Sequence, residues 1–234
     1  MTVSSMTDSA ERVVMISGAS RGIGAALARC FAADGWRLSL GARSPFAAPA
    51  DALVHPYEAE DPTAARGWVD ATLERFNRID CLICNAGVLG PVTLEDGSAE
   101  ALDRMWAVNA RAPFLLAQAA LPSLKQGGRG RVVIVASLSG KRVRNLNAGY
   151  QMTKFAAVGL AHAIRRAGWE HGVRATALCP GYVRTDMALA LGAMAEDAMS
   201  DPDEIAALVL HVVGMSNTAS MAELAVNCAF EPVF

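Results

Sequence analysis

The sequence predicts a single α/β domain built on a doubly wound, mostly parallel seven-stranded sheet with helices on both faces. Short apolar runs alternate with longer helical patterns, which is typical of successive βαβ units. The runs are apolar at nearly every position, as expected for strands covered by helices on both faces. With 234 residues, 53% of them hydrophobic, the chain fits one domain with a core of useful size.

The elements can be placed in chain order. The first strand, residues 13–16, leads into a glycine-rich turn and a helix that ends near residue 34. The other predicted strands are residues 38–40, 53–54, 81–84, 132–135, 173–178 and an edge strand at 222–226. The other predicted helices are residues 62–77, 101–126, 149–171 and one that starts at 201–202.

Composition excludes several classes of function. The net charge of -2 shows no basic excess, so we expect no nucleic-acid partner. No apolar run approaches the roughly 18 residues of a membrane span, and residues 1–11 lack the apolar core of a signal peptide. We therefore expect a cytoplasmic protein with no membrane partner and a flexible N-terminal arm at residues 1–11.

Cysteine and histidine show no metal-site spacing, so we expect no metal. Cys81 and Cys84 form a Cys-x-x-Cys, but they lie in a predicted strand, where their side chains would point to opposite faces. The five cysteines are interpreted as reduced and mainly structural, and the four histidines as structural or surface residues.

A glycine-rich turn follows the first strand. Glycines permit a tight turn and let a pyrophosphate approach backbone N–H groups at a helix start. The strand–turn–helix context therefore predicts a dinucleotide site of the Rossmann type, although the glycine spacing differs from the G-x-G-x-x-G pattern. The residues assigned to this turn are Gly18, Ser20, Arg21, Gly22, Ile23 and Gly24.

The choice between NAD(H) and NADP(H) is predicted from charge. An acid at the end of the second strand commonly binds the ribose of NAD, but this chain has Arg43 in that region. Arg43 and Arg21 would suit the 2′-phosphate of NADP, so NADP(H) is preferred over NAD(H). The alternative is that both arginines are solvated surface residues.

Tyr150 and Lys154 are the candidate proton-transfer pair. Four residues apart on a helix, they share one face, and the ammonium is expected to lower the pKa of the phenol. Ser137, thirteen residues before Tyr150, could hold a carbonyl oxygen beside the phenol. Ser139 is the competing candidate for that role.

In these motifs and their order, the chain resembles the short-chain dehydrogenase/reductase family in its compact single-domain form. The resemblance rests on the glycine turn, Cys-Asn-Ala-Gly at 84–87, Asn109, Ser137, the Tyr150-x-x-x-Lys154 pair and Pro-Gly-Tyr-Val-Arg-Thr at 180–185. It covers nearly the whole chain and implies that residues 12–234 form one dinucleotide-binding catalytic domain.

The resemblance also implies roles for individual residues. Tyr150 would be the general acid or base in hydride transfer between NADP(H) and a carbonyl or alcohol, most often as a reductase, and Ser137 would orient the substrate oxygen. Lys154 would also bind the nicotinamide ribose. Asn109 would hold a water that links Lys154 to solvent, or would only stabilise a helix bend.

The further cofactor-binding residues would be Glu58, Asn85, Ala86, Gly87, Pro180, Gly181, Val183 and Thr185, in addition to Tyr150 and Lys154. Thr185 has an alternative interpretation as a helix cap.

The chain departs from the family pattern at three places. Cys84 replaces the first asparagine of the Asn-Asn-Ala-Gly motif, Glu58 replaces an aspartate, and an Asp-Gly-Gly near the C-terminus is missing. The first removes a side-chain hydrogen bond, and the second changes the residue that would contact adenine. The third changes the part of the chain that would shape the assembly and the C-terminal side of the pocket.

The substrate and assembly are the least specified features. Segment 182–200 is expected to cover the active site as a lid, whose methionines and leucines either line an apolar pocket or pack against the core or a partner chain. Members of the family commonly form dimers or tetramers, so the resemblance implies a homodimer or homotetramer that assembles through helices 101–126 and 149–171. The alternative function is a non-catalytic NADP-binding sensor or scaffold, and the chain is too short for a sugar-nucleotide epimerase.

Overall fold

The computed structural model describes residues 12–231, and the predicted arm at 1–11 lies outside the described residues, as do residues 232–234. The seven strands form one sheet in the order β3-β2-β1-β4-β5-β6-β7, and every neighbouring pair is parallel. The predicted doubly wound α/β fold is confirmed. The strands are β1 Val13–Ser17, β2 Arg37–Ala42, β3 Leu53–Pro56, β4 Cys81–Cys84, β5 Arg131–Val135, β6 Arg174–Pro180 and β7 Glu223–Val226.

The helices lie close to their predicted positions. The α-helices are α1 Gly22–Ala33, α2 Ala64–Phe76, α3 Ala99–Trp106, α4 Ala112–Gln126, α5 Ala148–Gly168, α6 Asp186–Leu189 and α7 Pro202–Gly214. A π-helical turn, Ala107–Arg111, joins α3 to α4, so the predicted helix 101–126 is one run with a local widening. The predicted end of α5 near residue 171 is instead a 3₁₀ turn, Trp169–His171. None of these helices, within the part of the chain described, is long and apolar enough to span a bilayer.

Two apolar cores cover the two faces of the sheet. Val14 and Ile16 pack with residues of α1 and α7 on one face, whereas Met15 packs with residues of α2, α4 and α5 on the other. Cys81 and Cys84 also fall into different cores, and neither is disulfide-bonded. The interpretation of this pair as buried structural thiols on opposite faces therefore fits the structure.

Strand order determines where the sheet opens. The chain moves outward from β1 to β3 in one direction and from β4 to β7 in the other. Helices that leave β1 and β4 consequently cover opposite faces, and a crevice forms at the carboxyl ends of these two strands. Ligands of open parallel sheets bind in such crevices, so the fold places its candidate site there.

Trp68 holds α2 against β2 through hydrogen bonds and tight packing. The indole is fully buried, and its Nε1 donates to Ser39 Oγ at 2.9 Å. Ser39 Oγ also lies 2.7 Å from Thr72 Oγ1, which itself donates to the Trp68 carbonyl. The ring lies so close to Gly41 that a Cβ there would be 2.7 Å from it. A glycine is therefore required in β2 for steric reasons.

We predict that Gly41→Ala lowers the free energy of unfolding by about 1–3 kcal/mol, because the added methyl group overpacks the contact with Trp68. Urea denaturation followed by circular dichroism measures the change. Gly67→Ala is the matched control, since Gly67 is exposed within α2 and an added Cβ meets nothing within 4 Å. The control should gain up to about 1 kcal/mol from helix propensity. Equal stability of the wild type and Gly41→Ala would contradict the steric argument.

Candidate active site

A cavity of about 350 Å³ runs along the carboxyl ends of the strands. Residues that follow each strand contribute to its lining: Gly18 after β1, Arg43 after β2, Glu58 after β3, Asn85 after β4, Ser137 after β5, Gly181 after β6 and Asn227 after β7. Of the predicted site residues, only Gly24 and Asn109 do not line it. The topology therefore gathers residues that are far apart in sequence along one groove.

The glycine turn has the shape that a phosphate group requires. Gly18 has φ +65°, and a Cβ there would lie 2.9 Å from the Cα of Ala86. Gly22, at φ +54°, opens α1, and no side chain caps the first N–H groups of that helix. Unpartnered N–H groups at a helix start favour an anion. The turn thus fits the pyrophosphate of a dinucleotide.

Asn85 locks this turn against β4. Its Nδ2 donates to the carbonyl oxygens of Ser17 and Gly18, both at 3.0 Å. Ser17 Oγ in turn accepts from the N–H groups of Asn85 and Ala86. A Cβ on Gly24 would lie 2.1 Å from the Gly18 carbonyl oxygen and 2.6 Å from Asn85 Nδ2. Gly24 therefore acts behind the turn by letting α1 approach closely.

The charged residues at this end of the cavity are exposed. Arg43 is exposed and bonds to none of the residues 12–231. Arg21 Nη1 donates to Asp186 Oδ2 at 3.1 Å, an ion pair open to solvent on both sides. Glu58 Oε1 accepts from the Glu60 N–H at 3.3 Å. Both arginines can reach a ligand in the groove, and Arg21 already shares its charge with a carboxylate.

Ser137 lies at the end of β5, where it precedes a 3₁₀ turn, Leu138–Gly140. Its Oγ accepts from the Ser139 N–H at 3.0 Å and lies 3.4 Å from the Pro180 carbonyl oxygen. It also hydrogen-bonds with the phenol of Tyr150. Ser139 reaches this arrangement through its backbone, which favours Ser137 as the hydroxyl that faces a substrate.

Helix α5 carries Tyr150 and Lys154 into the groove. Asn147 begins the helix by accepting from the Tyr150 N–H at 3.1 Å. Lys154 is almost fully buried, its Nζ donates to the Val135 carbonyl at 2.9 Å, and it lies 5.5 Å from the centre of the Tyr150 ring. Ser137, Tyr150 and Lys154 are therefore brought together, as the spacing predicted.

The pKa values of this pair are shifted in opposite directions. Burial raises the pKa of Tyr150 to about 12, and the hydrogen bond with Ser137 offsets this only in part. Burial also lowers the pKa of Lys154 to about 8. The net pKa shift of Tyr150 is thus upward, because burial of the phenol outweighs the hydrogen bond with Ser137, and the predicted lowering by Lys154 stays a prediction.

Asn109 lies in the π-helical turn Ala107–Arg111 and is buried. Its Oδ1 accepts from the Val88 N–H at 2.9 Å, while Nδ2 donates to the Val88 carbonyl and to Thr153 Oγ1. The side chain connects the loop after β4 to α5 at the residue before Lys154. This position is compatible with both predicted interpretations, a stabilised helix bend and a link towards Lys154.

The segment after β6 folds over the groove. Val183 pairs with Ser200 in a parallel bridge, so the two ends of the intervening segment lie next to each other and the segment forms a loop. Met187 and Leu191 line the cavity, Met199 is buried, and Met194 Sδ lies 3.6 Å from Cys228 Sγ. Both predicted uses of its apolar residues, pocket lining and packing, are therefore present. Thr185 precedes α6 without a side-chain cap, and its Oγ1 donates to the Val183 carbonyl at 3.2 Å.

Sequence reasoning missed the polar wall beyond Ser137. Six residues of this wall line the cavity: Arg142, Arg144, Asn145, Asn147, Asn227 and Glu231. A signal existed for the arginines, because Lys-Arg-Val-Arg at 141–144 is a basic cluster between Ser137 and Tyr150. No local signal points to Asn227 and Glu231, which come from the far end of the chain.

Comparison with known proteins identifies the family. The pattern of the family described as "short chain dehydrogenase" matches residues 12–196. Agropine synthesis reductase of Rhizobium rhizogenes is 41% identical over 229 residues, which are 94% of this chain and 53% of that protein. The chain therefore spans about half the length of this relative. Levodione reductase of Leifsonia aquatica is 33% identical over 199 residues, covering 80% of this chain and 74% of that protein.

Solved structures agree with this assignment. An alcohol dehydrogenase from the archaeon Thermococcus sibiricus, complexed with 5-hydroxy-NADP, superposes with a TM-score of 0.84 at 29% identity and covers 94% of this chain and 97% of its own. The crystal structure of levodione reductase gives a TM-score of 0.85 at 28% identity, covering 92% and 95%. Since the family pattern matches most of the chain and the fold agrees, the chain belongs to the short-chain dehydrogenase/reductase family of oxidoreductases.

Proposed function

We propose that the protein is an NADP(H)-dependent oxidoreductase that interconverts a carbonyl compound and its alcohol, working mainly as a reductase. The observation that carries the proposal is the convergence of Ser137, Tyr150 and Lys154 on one groove whose other end is the glycine turn. A dinucleotide bound along that groove would bring its reactive ring to these three side chains.

The chain's own residues would hold the cofactor along the strand ends. Gly18 and Gly22 would leave room for the pyrophosphate, Asn85 keeps the turn in shape, and Gly181 and Val183, which line the groove, would lie beside the nicotinamide. The nicotinamide, when bound, supplies or accepts the hydride. The remaining predicted cofactor residues that line the groove are Ser20, Arg21, Ile23, Arg43, Glu58, Ala86, Gly87, Pro180 and Thr185.

Proton transfer would be the task of Tyr150. With a pKa of about 12 the phenol carries its proton at neutral pH, so it is ready to protonate the oxygen of a carbonyl that is being reduced. Ser137 would hold that oxygen beside the phenol. The ammonium of Lys154 would oppose the negative charge that develops on Tyr150 and would bind the ribose hydroxyls. Asn109 would help to keep Lys154 in place and carry a water towards solvent.

The relatives support the direction and the cofactor. Agropine synthesis reductase and levodione reductase are both named as reductases, and the alcohol dehydrogenase of similar fold is complexed with an NADP derivative. The five cysteines of the described residues are free thiols, which are typical of the reducing cytoplasm, where we place the protein. A sensor or scaffold function would not require Ser137, Tyr150 and Lys154 to meet, so we rank it second.

We predict that Tyr150→Phe lowers turnover of a carbonyl panel with NADPH by about 100-fold or more, because the proton donor is lost. Affinity for NADPH, measured by fluorescence titration, should change by less than about threefold. Turnover close to that of the wild type would contradict the role of Tyr150, and no turnover by the wild type on a broad panel would favour the sensor.

Ser137→Ala and Ser139→Ala form a matched pair of controls in the same assay. Both variants lose one hydroxyl after β5, but only Ser137 hydrogen-bonds with Tyr150. The first should lose most of its turnover and the second should retain it.

We predict that Arg43→Asp weakens NADPH binding by roughly 10- to 100-fold, because an attraction for the 2′-phosphate becomes a repulsion. NADH binding should change by less than about threefold, since NADH lacks that phosphate. Arg66→Asp is the control for the charge change: Arg66 is exposed on α2 and does not line the groove. Equal loss of affinity for both cofactors would contradict the assignment.

We propose a homodimer or homotetramer assembled through α3, α4 and α5. Four large apolar side chains on these helices are each at least 36% exposed: Trp106, Phe114, Met152 and Phe155. Exposing such side chains to water is unfavourable, so a partner chain is expected to cover them. Sedimentation equilibrium at micromolar concentration should give a multiple of the chain mass, and Phe155→Asp should shift the distribution towards the monomer. A wild-type monomer would contradict the assembly.

A further inference from the structure

The groove has a basic wall next to the predicted reaction centre. Arg142 and Arg144 both line it, on the short loop that joins Ser137 to Tyr150. The loop is fixed at both ends, since the Arg142 N–H donates to the Leu138 carbonyl at 3.2 Å and Asn147 caps α5. The two guanidinium groups are therefore held on the same groove as Ser137 and Tyr150, between them in sequence.

This wall already binds a carboxylate, that of Glu231. Arg142 donates from Nε and Nη2 to the two carboxylate oxygens at 2.8 and 2.6 Å, a bidentate pair. Arg144 Nη1 donates to Oε1 at 2.7 Å, and Asn227 Nδ2 lies 3.2 Å from the same oxygen. These bonds lower the pKa of Glu231 to about 2, so the carboxylate is ionised at neutral pH. Guanidinium groups arranged in this way are suited to carboxylates.

The two arginines differ in what they have left to offer. Arg142 is 17% exposed and uses two donors on Glu231, whereas Arg144 is 55% exposed and uses one. The other guanidinium donors of Arg144 have no partner among residues 12–231. Two positive groups face one negative group, so the wall keeps a net positive charge. A second carboxylate can be bound there without displacing Glu231.

The lid also limits the kind of molecule that the groove can hold. Met187 and Leu191 of the lid line the groove and offer apolar contacts. The other charged lining residues, apart from Lys154, lie towards the glycine turn: Arg21, Arg43, Glu58, Glu60 and Asp186. A substrate in the groove therefore meets apolar side chains of the lid as well as a basic wall with spare hydrogen-bond donors.

We propose that the substrate is a carbonyl compound that carries a carboxylate, an oxo acid, and that Arg144 binds this carboxylate. Arg142 and Glu231 are positioning residues that hold Arg144 at the wall. The inference rests on the proposed function and names its substrate class. The reverse reaction would oxidise the corresponding hydroxy acid, with the same contact to the carboxylate.

The test compares oxo acids with their methyl esters, which keep the carbonyl and lose the charge. Pyruvate, acetoacetate and levulinate place the carboxylate at increasing distance from the carbonyl. With NADPH, kcat/KM should be higher for at least one acid than for its ester. Arg144→Gln should lower kcat/KM for that acid by roughly 10- to 100-fold, mainly through KM, and leave the ester within about twofold. Arg166→Gln removes an exposed arginine on α5 that does not line the groove and should change neither.

Glu231→Gln tests the positioning pair. The amide keeps the size of the side chain but loses the ion pairs that orient the arginines. If positioning decides the affinity, KM for the acid should rise although the wall gains positive charge, and kcat should stay within about threefold; a fall in KM would contradict the positioning role. A purely structural effect would change kcat for acid and ester alike and lower the melting temperature in proportion.

A binding measurement separates this inference from the proposed function. Calorimetric titration of the Tyr150→Phe variant with NADPH present should show tighter binding of the acid than of the ester, and Arg144→Gln should abolish the difference. Ester turnover equal to acid turnover, or equal losses on both in Arg144→Gln, would overturn the oxo-acid inference and leave the reductase intact. Absent turnover with a retained preference for the acid in binding would overturn the proposed reaction alone.

Discussion

The joint between the ends of β1 and β4 is the contact on which the rest of the site depends. Ser17 Oγ accepts two backbone N–H groups of the β4 end, and Asn85 Nδ2 returns two hydrogen bonds to the β1 end. Because strand order runs outward in both directions from this pair, the joint fixes the floor of the crevice. The left-handed turn at Gly18, the start of α1 and the lining of the groove are all set by it.

Much of the fold and the central site residues could be predicted because their signals are local. Apolar runs identified every strand, and Ser137, Tyr150 and Lys154 lie within eighteen residues of one another on two consecutive elements. The ion pairs of Glu231 with Arg142 and Arg144 join residues 89 and 87 positions apart, which no spacing argument connects. The same holds for Trp68 against Gly41, where a contact across two elements decides which residue is allowed.

The net pKa shifts in the site depend on burial as well as on charge. The four-residue spacing of Tyr150 and Lys154 predicted proximity, and the structure has it. It could not predict that the phenol is buried enough to raise its pKa to about 12, nor that the lysine donates to the Val135 carbonyl. Desolvation depends on everything packed around a group, so it becomes visible only when the whole groove is assembled.

The buried ammonium of Lys154 couples folding to protons. Its pKa falls from 10.5 to about 8 on burial, so the unfolded chain holds that proton more tightly than the folded one. Between pH 8 and 10.5 the unfolded state binds more protons at this site, and the contribution of Lys154 to stability therefore rises with pH across that window. Below pH 8 both states carry the proton, and the full cost of burying the charge is borne by the native fold. Burial of the protonated Lys154, the residue proposed to serve the reaction, thus lowers the stability of the folded protein at neutral pH.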